Sequence, residues 1–267
     1  MVADIFGEAY TEKLTYVQIS KSNVESSLLS TIASLPSLQI LELDGANVSD
    51  TDLQSLSTCS TLKKLSLAGS QVTDGGVASL ANLPDLRSLN LDNTQITNAS
   101  LDGLGQQTTL QRLYVEKTGI TDEGVAKLTG LSNLMSIGLE GTKVTDAVIP
   151  HLVKLTELDE VRLGNTGVTN QGIPALASLQ KLNTLRLQNT DVTDDGLTWL
   201  GECPNLEKID LTGTKVTDAI LSTLEQIKNL VEVRLDDTQI TEDGWYAMRR
   251  SLGNGVQVQH TVYDKPR

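Results

Sequence analysis

The sequence predicts an α/β solenoid, a stack of short repeated units that each contribute one parallel strand and one helical segment. Three observations predict this fold. A 24-residue repeat runs from Leu14 to Gly253 without an insertion or deletion. Apolar residues alternate in one part of each repeat, as in a strand, and recur at helical spacing in another part. A fixed period of this length is typical of units that stack only on their neighbours.

Each repeat opens with a leucine, and we number its positions 1 to 24 from that residue. The ten opening residues are Leu14, Leu38, Leu62, Leu86, Leu110, Leu134, Leu158, Leu182, Leu206 and Leu230. No linker or composition shift interrupts them, so we expect a single domain over residues 1–267. Within it, residues 1–13 form an N-terminal cap, 14–253 form ten repeats and 254–267 form a C-terminal cap.

The caps are expected because stacked repeats otherwise expose their last apolar layer. At the N-terminal end, Ile5, Phe6 and Tyr10 are candidates to cover the first layer. At the C-terminal end, the segment from Val256 to Tyr263 alternates in polarity and is expected to close the sheet.

The first part of each repeat is predicted to be a short strand. Positions 1, 4 and 6 are apolar, as in Leu86, Leu89 and Leu91. Successive side chains of a strand point to opposite faces, so positions 4 and 6 face the core and positions 3 and 5 face away from it. We call the side chains at positions 3 and 5 of all repeats the exposed sheet face.

The second part of each repeat is predicted to be a turn followed by a short helix. Thr or Ser at position 12 and Asp, Asn or Glu at position 13 are typical of helix N-caps. Positions 16, 19 and 22 are then apolar at helical spacing, as in Val77, Leu80 and Leu83. These three positions, together with Val or Ile at position 11, should complete the core.

Two further columns need an explanation. Thr at position 9 recurs in seven consecutive repeats, from Thr94 to Thr238, and we expect a ladder of hydroxyls that bond neighbouring backbone groups. Gly recurs at position 15, but Val148 and Ile220 also occur there. Because a β-branched residue rarely adopts a positive φ, we attribute these glycines to close packing against the next helix.

Composition and charge narrow the classes of partner. Aromatic residues make up only 3% of the chain, so the core must consist of Leu, Val and Ile. The net charge of −13 argues against nucleic acid or an anionic membrane as the main partner. No apolar run approaches the length of a membrane span. The first residues lack the features of a signal peptide, although a trimmed chain would look the same, and the compartment stays open.

The two cysteines are expected to be unpaired. Cys59 and Cys203 both occupy position 22, in repeats six units apart. With strands about 4.8 Å apart, they would lie roughly 29 Å apart along the stack, which is far beyond the reach of a disulfide. We expect both to be small buried apolar groups.

The pattern LxxLxLxxTxVTDxGLxxLxxLxx resembles a leucine-rich repeat, and it is closest to the cysteine-containing type. Thr replaces the usual Cys at position 9, whereas Cys59 and Cys203 keep the Cys of position 22. The segment from Val192 to Leu197 also resembles long bacterial arrays with the element VTDxGL. The resemblance implies a right-handed horseshoe with parallel strands on the concave face and short helices on the convex face. It implies little about function, because sites are grafted on folds.

The sequence offers no cluster of groups for catalysis, a cofactor or a metal. His151 is predicted to lie on the surface of a helix, and His260 falls in the terminal cap. The acidic residues at position 13 are explained by helix capping better than by calcium. Trp199, at position 18, is either an exposed anchor on the convex side or, as we prefer, partly covered by a neighbouring helix. We therefore predict a protein that is not an enzyme.

The exposed sheet face is the most informative surface. Six of its 20 residues are Lys or Arg, against 21 of 267 in the whole chain, and its residues differ from repeat to repeat. An aromatic ring beside a glycine and flanked by arginines is typical of a binding hot spot. The predicted partner-binding residues are Arg112, Tyr114, Gly138, Glu160, Arg162, Arg186, Asp210 and Arg234.

Two functions remain open at this point. In the first, the chain is a protein-interaction scaffold that binds a protein or peptide, with an acidic segment as the expected feature of that partner, through its concave face. In the second, it is a structural or spacer domain of a larger assembly, and its surface charges pair with one another. Such exposed pairs contribute roughly 0–1 kcal/mol each and keep a sheet surface soluble.

Overall fold

The computed structural model describes residues 13–20, 24–81 and 83–261. The chain divides into two compact units, Met1–Leu134 and Met135–Arg267. The predicted cover by Ile5, Phe6 and Tyr10 lies outside the described residues, and the assignment of the whole chain to a single domain stays a prediction.

The first unit contains five short parallel strands, each formed by positions 3 to 5 of a repeat. Paired residues lie 24 positions apart, as in Tyr16 with Ile40, so the repeat period sets the register. The strands are β1 (Tyr16–Gln18), β2 (Ile40–Glu42), β3 (Lys64–Ser66), β4 (Ser88–Asn90) and β5 (Arg112–Tyr114).

The second unit repeats this arrangement with six parallel strands. The last pair departs from the period, because Glu232 pairs with Gln257, 25 positions away. The terminal segment therefore continues the sheet, as expected for the part of the C-terminal cap within the described residues. The strands are β6 (Ser136–Gly138), β7 (Glu160–Arg162), β8 (Thr184–Arg186), β9 (Lys208–Asp210), β10 (Glu232–Arg234) and β11 (Gln257–Gln259).

Each of the strands β2 to β10 is followed by a turn and a short helical segment of α or 3₁₀ type, and a helix also comes between β1 and β2. The α-helices of the first unit are α1 (Ser26–Ala33), α2 (Asp50–Leu53), α3 (Asp74–Ala78), α4 (Ser100–Leu104) and α5 (Asp122–Ala126). Those of the second unit are α6 (Ile149–Leu152), α7 (Leu221–Leu224) and α8 (Glu242–Leu252). The 3₁₀ segments are Gln54–Thr58, Asp146–Val148, Ile173–Ser178, Asp194–Glu202 and Asp218–Ile220.

The core consists of the apolar columns that the periodicity predicts. Leu89 and Leu187, at positions 4 and 6, are fully buried, so the predicted register of strand and core is confirmed. The first described repeat is less well covered, since Leu14 and Val17 are only half-buried. Position 22 holds two polar exceptions, the exposed Ser251 of the last repeat and the buried Gln107, whose amide nitrogen donates to the Leu80 carbonyl at 2.5 Å. The predicted α/β class with stacked parallel strands is confirmed.

The turn after each of the strands β2 to β10 has a left-handed residue at position 8. Glycine occupies this position in four repeats, and Asn, Asp or Lys occupies it in five others, with φ between 53° and 69° throughout. Asn and Asp tolerate this region better than other residues because their short side chains bond locally. These residues are Gly45, Gly69, Asn93, Lys117, Gly141, Asn165, Asn189, Gly213 and Asp237.

The threonine at position 9 closes the same turn. The hydroxyl of Thr94 donates to the Leu91 carbonyl at 2.6 Å, and the hydroxyl of Thr190 donates to the Leu187 carbonyl at 2.7 Å. Each bond stays inside one repeat and satisfies the carbonyl at position 6. The expected column of hydroxyls bonded to neighbouring backbone groups is therefore confirmed, and each hydroxyl reaches back three residues along its own chain segment.

The residue at position 13 links consecutive repeats. Asp146 accepts the backbone N–H of Thr169 at 2.8 Å and its hydroxyl at 2.6 Å. In several repeats the threonine at position 12 caps the helix, as where Thr73 accepts the N–H of Gly75 at 3.3 Å, whereas Thr121 and Thr193 make no such bond. The predicted N-cap is confirmed where the threonine accepts this bond, and Asp74 at position 13 lies in the first turn, where it favours the helix dipole while its side chain bonds the next repeat. The other described bridges are Asp50–Thr73, Asp74–Thr97, Asn98–Thr121, Asn170–Thr193, Asp194–Thr217 and Asp218–Thr241.

This bridge also explains the glycines at position 15. A Cβ added to Gly172 would lie 2.5 Å from Asp146 Oδ1, which is closer than real Cβ atoms approach. The expected close packing against an adjacent helical segment is thus found, but the segment belongs to the preceding repeat, and its bridging side chain is the group for which the glycine leaves room. Where Ile220 replaces the glycine, Asp194 bonds Thr217 at longer distances, 3.1 and 3.2 Å to the N–H and 2.9 Å to the hydroxyl.

A glycine substitution tests this steric relation. A Cβ at Gly124 would overlap the amide of Asn98, whose bonds to Thr121 measure 3.0 and 2.8 Å. We expect Gly124→Ala to lower the free energy of unfolding by about 1–2 kcal/mol, since lost buried hydrogen bonds outweigh the better helix propensity of alanine. Urea denaturation measures this difference.

The matched control lies in the same repeat. A Cβ at Gly130 would approach its nearest atom, the Gly105 carbonyl oxygen, at 3.6 Å, an ordinary contact. Gly130→Ala should therefore change the free energy of unfolding by less than about 0.5 kcal/mol. Equal effects of the two substitutions would contradict the steric role of position 15.

Acid should weaken the bridges. Burial raises the pKa of the Asp74 carboxyl, but hydrogen bonds from Ser100 and Thr97 outweigh burial and leave this pKa below its usual range. A depressed pKa stabilises the fold above the unfolded pKa of about 3.9, and this contribution is lost as the pH falls through the folded value. We expect Asp74→Asn, which keeps the bridging geometry seen at Asn98, to have a urea midpoint that falls less between pH 5 and pH 2 than that of the unmodified protein.

Asp102→Asn is the control for this measurement. It also removes one carboxyl, but Asp102 is exposed and its Oδ1 pairs with Lys127 Nζ at 2.7 Å, outside the bridging column. Its acid dependence should follow that of the unmodified protein. If Asp74→Asn shows the same acid dependence as well, the carboxylate bridge contributes nothing to stability.

The thiols should react slowly in the native protein. Cys59 and Cys203 are both free and buried, and burial, with a smaller contribution from Glu202, raises the pKa of the Cys203 thiol to about 11. Little thiolate, the reactive form, is present at pH 8. Titration with a disulfide reagent should be slow for the folded chain and should reach both thiols in denaturant. Rapid labelling of either cysteine in the native state would contradict their burial.

Candidate protein-binding surface

The predicted partner-binding residues lie on the exposed sheet face of both units. Arg112 and Tyr114 belong to β5 of the first unit, where Arg112 is exposed and Tyr114 is half-buried. The other six residues belong to strands of the second unit, and Gly138 among them is buried. The expected depression beside Tyr114 and Gly138 would join the two units and stays a prediction.

The second unit brings its predicted residues together in one row. Position 5 of successive strands is in register, so that Arg162 lies beside Gly138 on one side and Arg186 on the other. The row continues through Asp210 to Arg234. Two arginines are therefore direct neighbours, as the sequence predicts, and the remaining charges alternate.

Glu160 offsets the repulsion between these arginines. Its Oε1 lies 2.8 Å from Arg162 Nε and 3.8 Å from Arg186 Nη2, while its Oε2 accepts the Ser136 hydroxyl at 2.9 Å. Burial raises the pKa of the Glu160 carboxyl, but the bonds from Arg162 and Ser136 and the two nearby cations outweigh burial and leave the pKa lowered. Glu160 is thus ionised at neutral pH. Glu140, which follows β6, has a buried Oε1 that accepts no hydrogen bond from the described residues.

Arg234 is held by carboxylates in a similar way. Its Nε donates to Glu232 Oε1 at 2.8 Å, and its Nη1 lies 4.0 Å from Asp210 Oδ2. Asp210 also accepts the Thr212 N–H at 3.0 Å. Glu232 and Asp210 raise the pKa of the Arg234 guanidinium. Charge pairing within the chain therefore occupies Arg162 and Arg234, as the spacer hypothesis expects.

Lys208 is a cation that the sequence reasoning did not select. It lies at position 3 of β9, is exposed, and makes no ion pair within the described part of the chain. In its row it stands between Thr184 and Glu232. The pattern of short and long side chains at position 3 is the signal that would have found it. A shallow depression opens here, lined by Thr184, Leu185, Arg186, Lys208, Ile209, Asp210, Glu232 and Arg234.

The first unit also exposes an aromatic ring on β1, its first strand. Tyr16 of β1 is 45% exposed, and its hydroxyl donates to Glu42 Oε2 at 2.9 Å. Lys64 Nζ approaches Glu42 Oε1 at 2.6 Å. The hydroxyl of Tyr16 is therefore fixed by a charged pair. The sequence places Tyr16 on the exposed sheet face but offers no reason to prefer it over Tyr114.

Two residues on the helical side differ from the sequence expectations. Trp199 is only 5% exposed, and its Nε1–H donates to the Gly196 carbonyl at 2.6 Å. It is therefore not an exposed anchor. Its ring is covered more completely than we expected, and its indole N–H bonds within its own 3₁₀ segment. His151 is half-buried, with its Nδ1 enclosed. The prediction of a plain surface histidine is therefore only partly right.

Neither a membrane span nor a metal cluster is found within the described ranges. No helix there is both long and apolar enough to cross a bilayer. No three His, Cys, Asp or Glu side chains of these residues gather in a group that could hold a metal ion.

Comparison with solved structures supports the fold. An internalin (inlF) from Listeria monocytogenes strain 4b F2365 matches with a TM-score of 0.70 and 20% identity, over 98% of this chain and 89% of that chain. An internalin C2 (inlC2) from the same strain matches with a TM-score of 0.60 and 26% identity, over 88% of this chain and 91% of that chain. These similarities concern architecture.

Comparison of the sequence with curated proteins gives no match. A family model described as a leucine-rich repeat region matches residues 46–256. This span contains the strands β3 to β10 and the inter-repeat bridges of both units. The chain therefore belongs to the leucine-rich repeat family.

Proposed function

We propose that this protein is a non-catalytic interaction scaffold that binds a partner protein or peptide through its exposed sheet face. This face corresponds to the concave face that the resemblance to leucine-rich repeats implies. The observation that supports this most is the concentration of cations there. Six of 20 residues on this face are Lys or Arg, although the chain as a whole carries a net charge of −13. A face that served only solubility would have no need to oppose the charge of the rest of the chain.

The variety of residues on the exposed sheet face favours a protein or peptide over a repetitive polymer. Position 5 of β5 to β9 holds Tyr, Gly, Arg, Arg and Asp in turn. A polymer of identical units would be recognised best by identical residues at the strand spacing. A folded surface or a peptide presents a different group to each strand, and shallow polar surfaces of this kind suit such partners.

The charges indicate which segment of the partner binds. Arg112 and Lys208 are exposed cations, and Arg186 has its nearest carboxylate oxygen 3.8 Å away. An acidic segment would complement these groups better than a neutral one, and its binding would weaken as salt screens the charges.

The spacer hypothesis has its own supporting observation. The close pairs of Arg162 with Glu160 and of Arg234 with Glu232, both at 2.8 Å, satisfy two of the cations within the chain. If all the cations behaved in this way, the face would need no partner. We prefer the scaffold because Arg186 and Lys208 do not follow this pattern.

A capture experiment tests the proposal. The full chain is immobilised and compared with the double variant Tyr114→Ala/Arg162→Ala in extracts of its native source. We expect at least one protein to bind the unmodified chain and to be reduced about tenfold on the double variant, because truncation of a hot-spot residue costs at least about 1–2 kcal/mol. The melting temperature should change by only a few degrees, since a single half-buried ion pair at the sheet surface contributes little.

The matched control removes one tyrosine and one cation from other surfaces. Tyr246 and Lys154 are both exposed and lie outside the exposed sheet face, so Tyr246→Ala/Lys154→Ala should retain binding. Equal capture by both double variants would place binding elsewhere on the molecule. If the unmodified chain captures nothing, the spacer hypothesis replaces the scaffold.

A further inference from the structure

We propose that Arg186 and Lys208, together with the notch above Thr184, form a subsite that takes one carboxylate from an acidic segment of the partner. This inference rests on the proposed function and assigns it a position and a ligand chemistry. The three residues belong to the adjacent strands β8 and β9 of the second unit.

The guanidinium of Arg186 has spare capacity for an anion. Its closest carboxylate oxygen, Glu160 Oε1 at 3.8 Å, already lies 2.8 Å from Arg162 Nε. The other oxygen of Glu160 accepts the Ser136 hydroxyl at 2.9 Å. A 3.8 Å separation is too long for a hydrogen bond, and a guanidinium can donate to a carboxylate through two parallel N–H groups.

Lys208 adds a second cation within reach of the same point. Thr184 and Lys208 are register partners, and Arg186 lies two residues further along β8. Strand geometry puts the Cα atoms of Arg186 and Lys208 roughly 8 Å apart on the diagonal. Both side chains stand on the same face of the sheet. A carboxylate between their ends can therefore accept hydrogen bonds from both.

The shape of the surface provides the space for this group. In the row of position 3, Thr184 is a short side chain between the longer side chains of Glu160 and Lys208. The depression at this point is lined by residues of three strands: Thr184, Leu185 and Arg186 of β8, Lys208, Ile209 and Asp210 of β9, and Glu232 and Arg234 of β10. Asp210 accepts the Thr212 N–H at 3.0 Å and lies 4.0 Å from Arg234 Nη1. The Glu232 carboxylate is already bonded to Arg234 and, at 3.1 Å, to the amide of Gln259. The negative charge of Glu232 is thus paired within the chain, and Arg186 and Lys208 are the groups that attract an anion.

The local charge balance favours a single carboxylate over a phosphate. At positions 3 and 5 of β7 to β10, four cations (Arg162, Arg186, Lys208 and Arg234) face three carboxylates (Glu160, Asp210 and Glu232), while Asp236 acts on Arg234 from outside these positions. The local excess is one positive charge. A carboxylate matches this excess, whereas a phosphate group carries about −1.5 to −2 charges at pH 7 and would be repelled by the nearby carboxylates.

The direct test uses a defined probe and the full chain. A fluorescein-labelled octapeptide with four consecutive glutamates is titrated by fluorescence anisotropy at low salt, with protein up to about 1 mM, a concentration that detects binding as weak as −4 kcal/mol. The same peptide with glutamines, and one with a single phosphoserine, are measured in parallel. We expect saturable binding of the glutamate peptide only, with an affinity that falls as salt is added.

Two variants separate the subsite from general charge attraction. Arg186→Gln/Lys208→Gln should weaken the glutamate peptide at least tenfold. Lys143→Gln/Lys154→Gln removes the same charge from exposed residues outside the exposed sheet face and should change the affinity less than twofold. Thr184→Gln keeps every charge but fills the notch, and should also weaken binding severalfold.

Three results would overturn the subsite. One is the absence of saturable binding of the glutamate peptide. Another is equal weakening by the two charge variants, which would show that binding follows net charge. The third is tighter binding of the phosphoserine peptide, which would assign the surface to a different class of anion.

The partner from the capture experiment distinguishes failure of the subsite from failure of the proposed function. If that partner is lost on Tyr114→Ala/Arg162→Ala but retained fully on Arg186→Gln/Lys208→Gln, the scaffold stands and the subsite fails. If both variants retain the partner fully, both proposals fail. If both variants lose it while Tyr246→Ala/Lys154→Ala retains it, both proposals are supported.

Discussion

Hydrogen bonds between position 13 of one repeat and the threonine at position 12 of the next hold the repeats at a fixed spacing. In the second unit, Asp146 receives both the N–H and the hydroxyl of Thr169. The threonine is thereby placed at the start of the following helix, and a glycine at position 15 leaves room for the bridge. These bridges recur with the same 24-residue period that sets the register of the strands. The exposed sheet face therefore depends on bonds made on the far side of each repeat, where the helices begin.

The columns of the core could be predicted from the sequence because burial repeats with the period. Leu89 and Leu187 are where the alternation puts them, and β11 appears where the terminal alternation predicts it. The roles of the polar columns could not be predicted in the same way. The repeat pattern shows that position 13 is nearly always Asp, Asn or Glu. It does not show whether this side chain bonds to its own helix or to the next repeat. Trp199 shows the same limit, since an indole at a surface position folded back onto the Gly196 carbonyl.

The candidate surface was predicted in outline and corrected in detail. The row from Arg162 to Arg234 follows directly from the register, and the neighbouring arginines are real. Which of these cations already pair with a carboxylate of the chain depends on the side-chain conformations, and the repeat pattern of the sequence does not give these. Glu160 serves Arg162 first and leaves Arg186 at 3.8 Å. A short Thr184 beside Lys208 matters only because the strands place them side by side, and this is why sequence reasoning favoured Tyr114 and passed over Lys208.

The bridge between repeats also has a consequence for how such an array can grow or shrink. The residue at position 13 of one repeat has to fit the residues at positions 12 and 15 of the next repeat. Whether two repeats can be neighbours therefore depends on the residues at the junction between them and not on either repeat alone. A duplication that copies whole 24-residue segments creates one new junction, and it is tolerated when an Asp or Asn meets a Gly, as at Asp146 and Gly172. At a junction like that of Asp194 and Ile220, the bridging bonds are longer, and a duplication that created a second such junction would be stabilised less. Lineages of this fold should therefore expand preferentially through the tightly matched junctions.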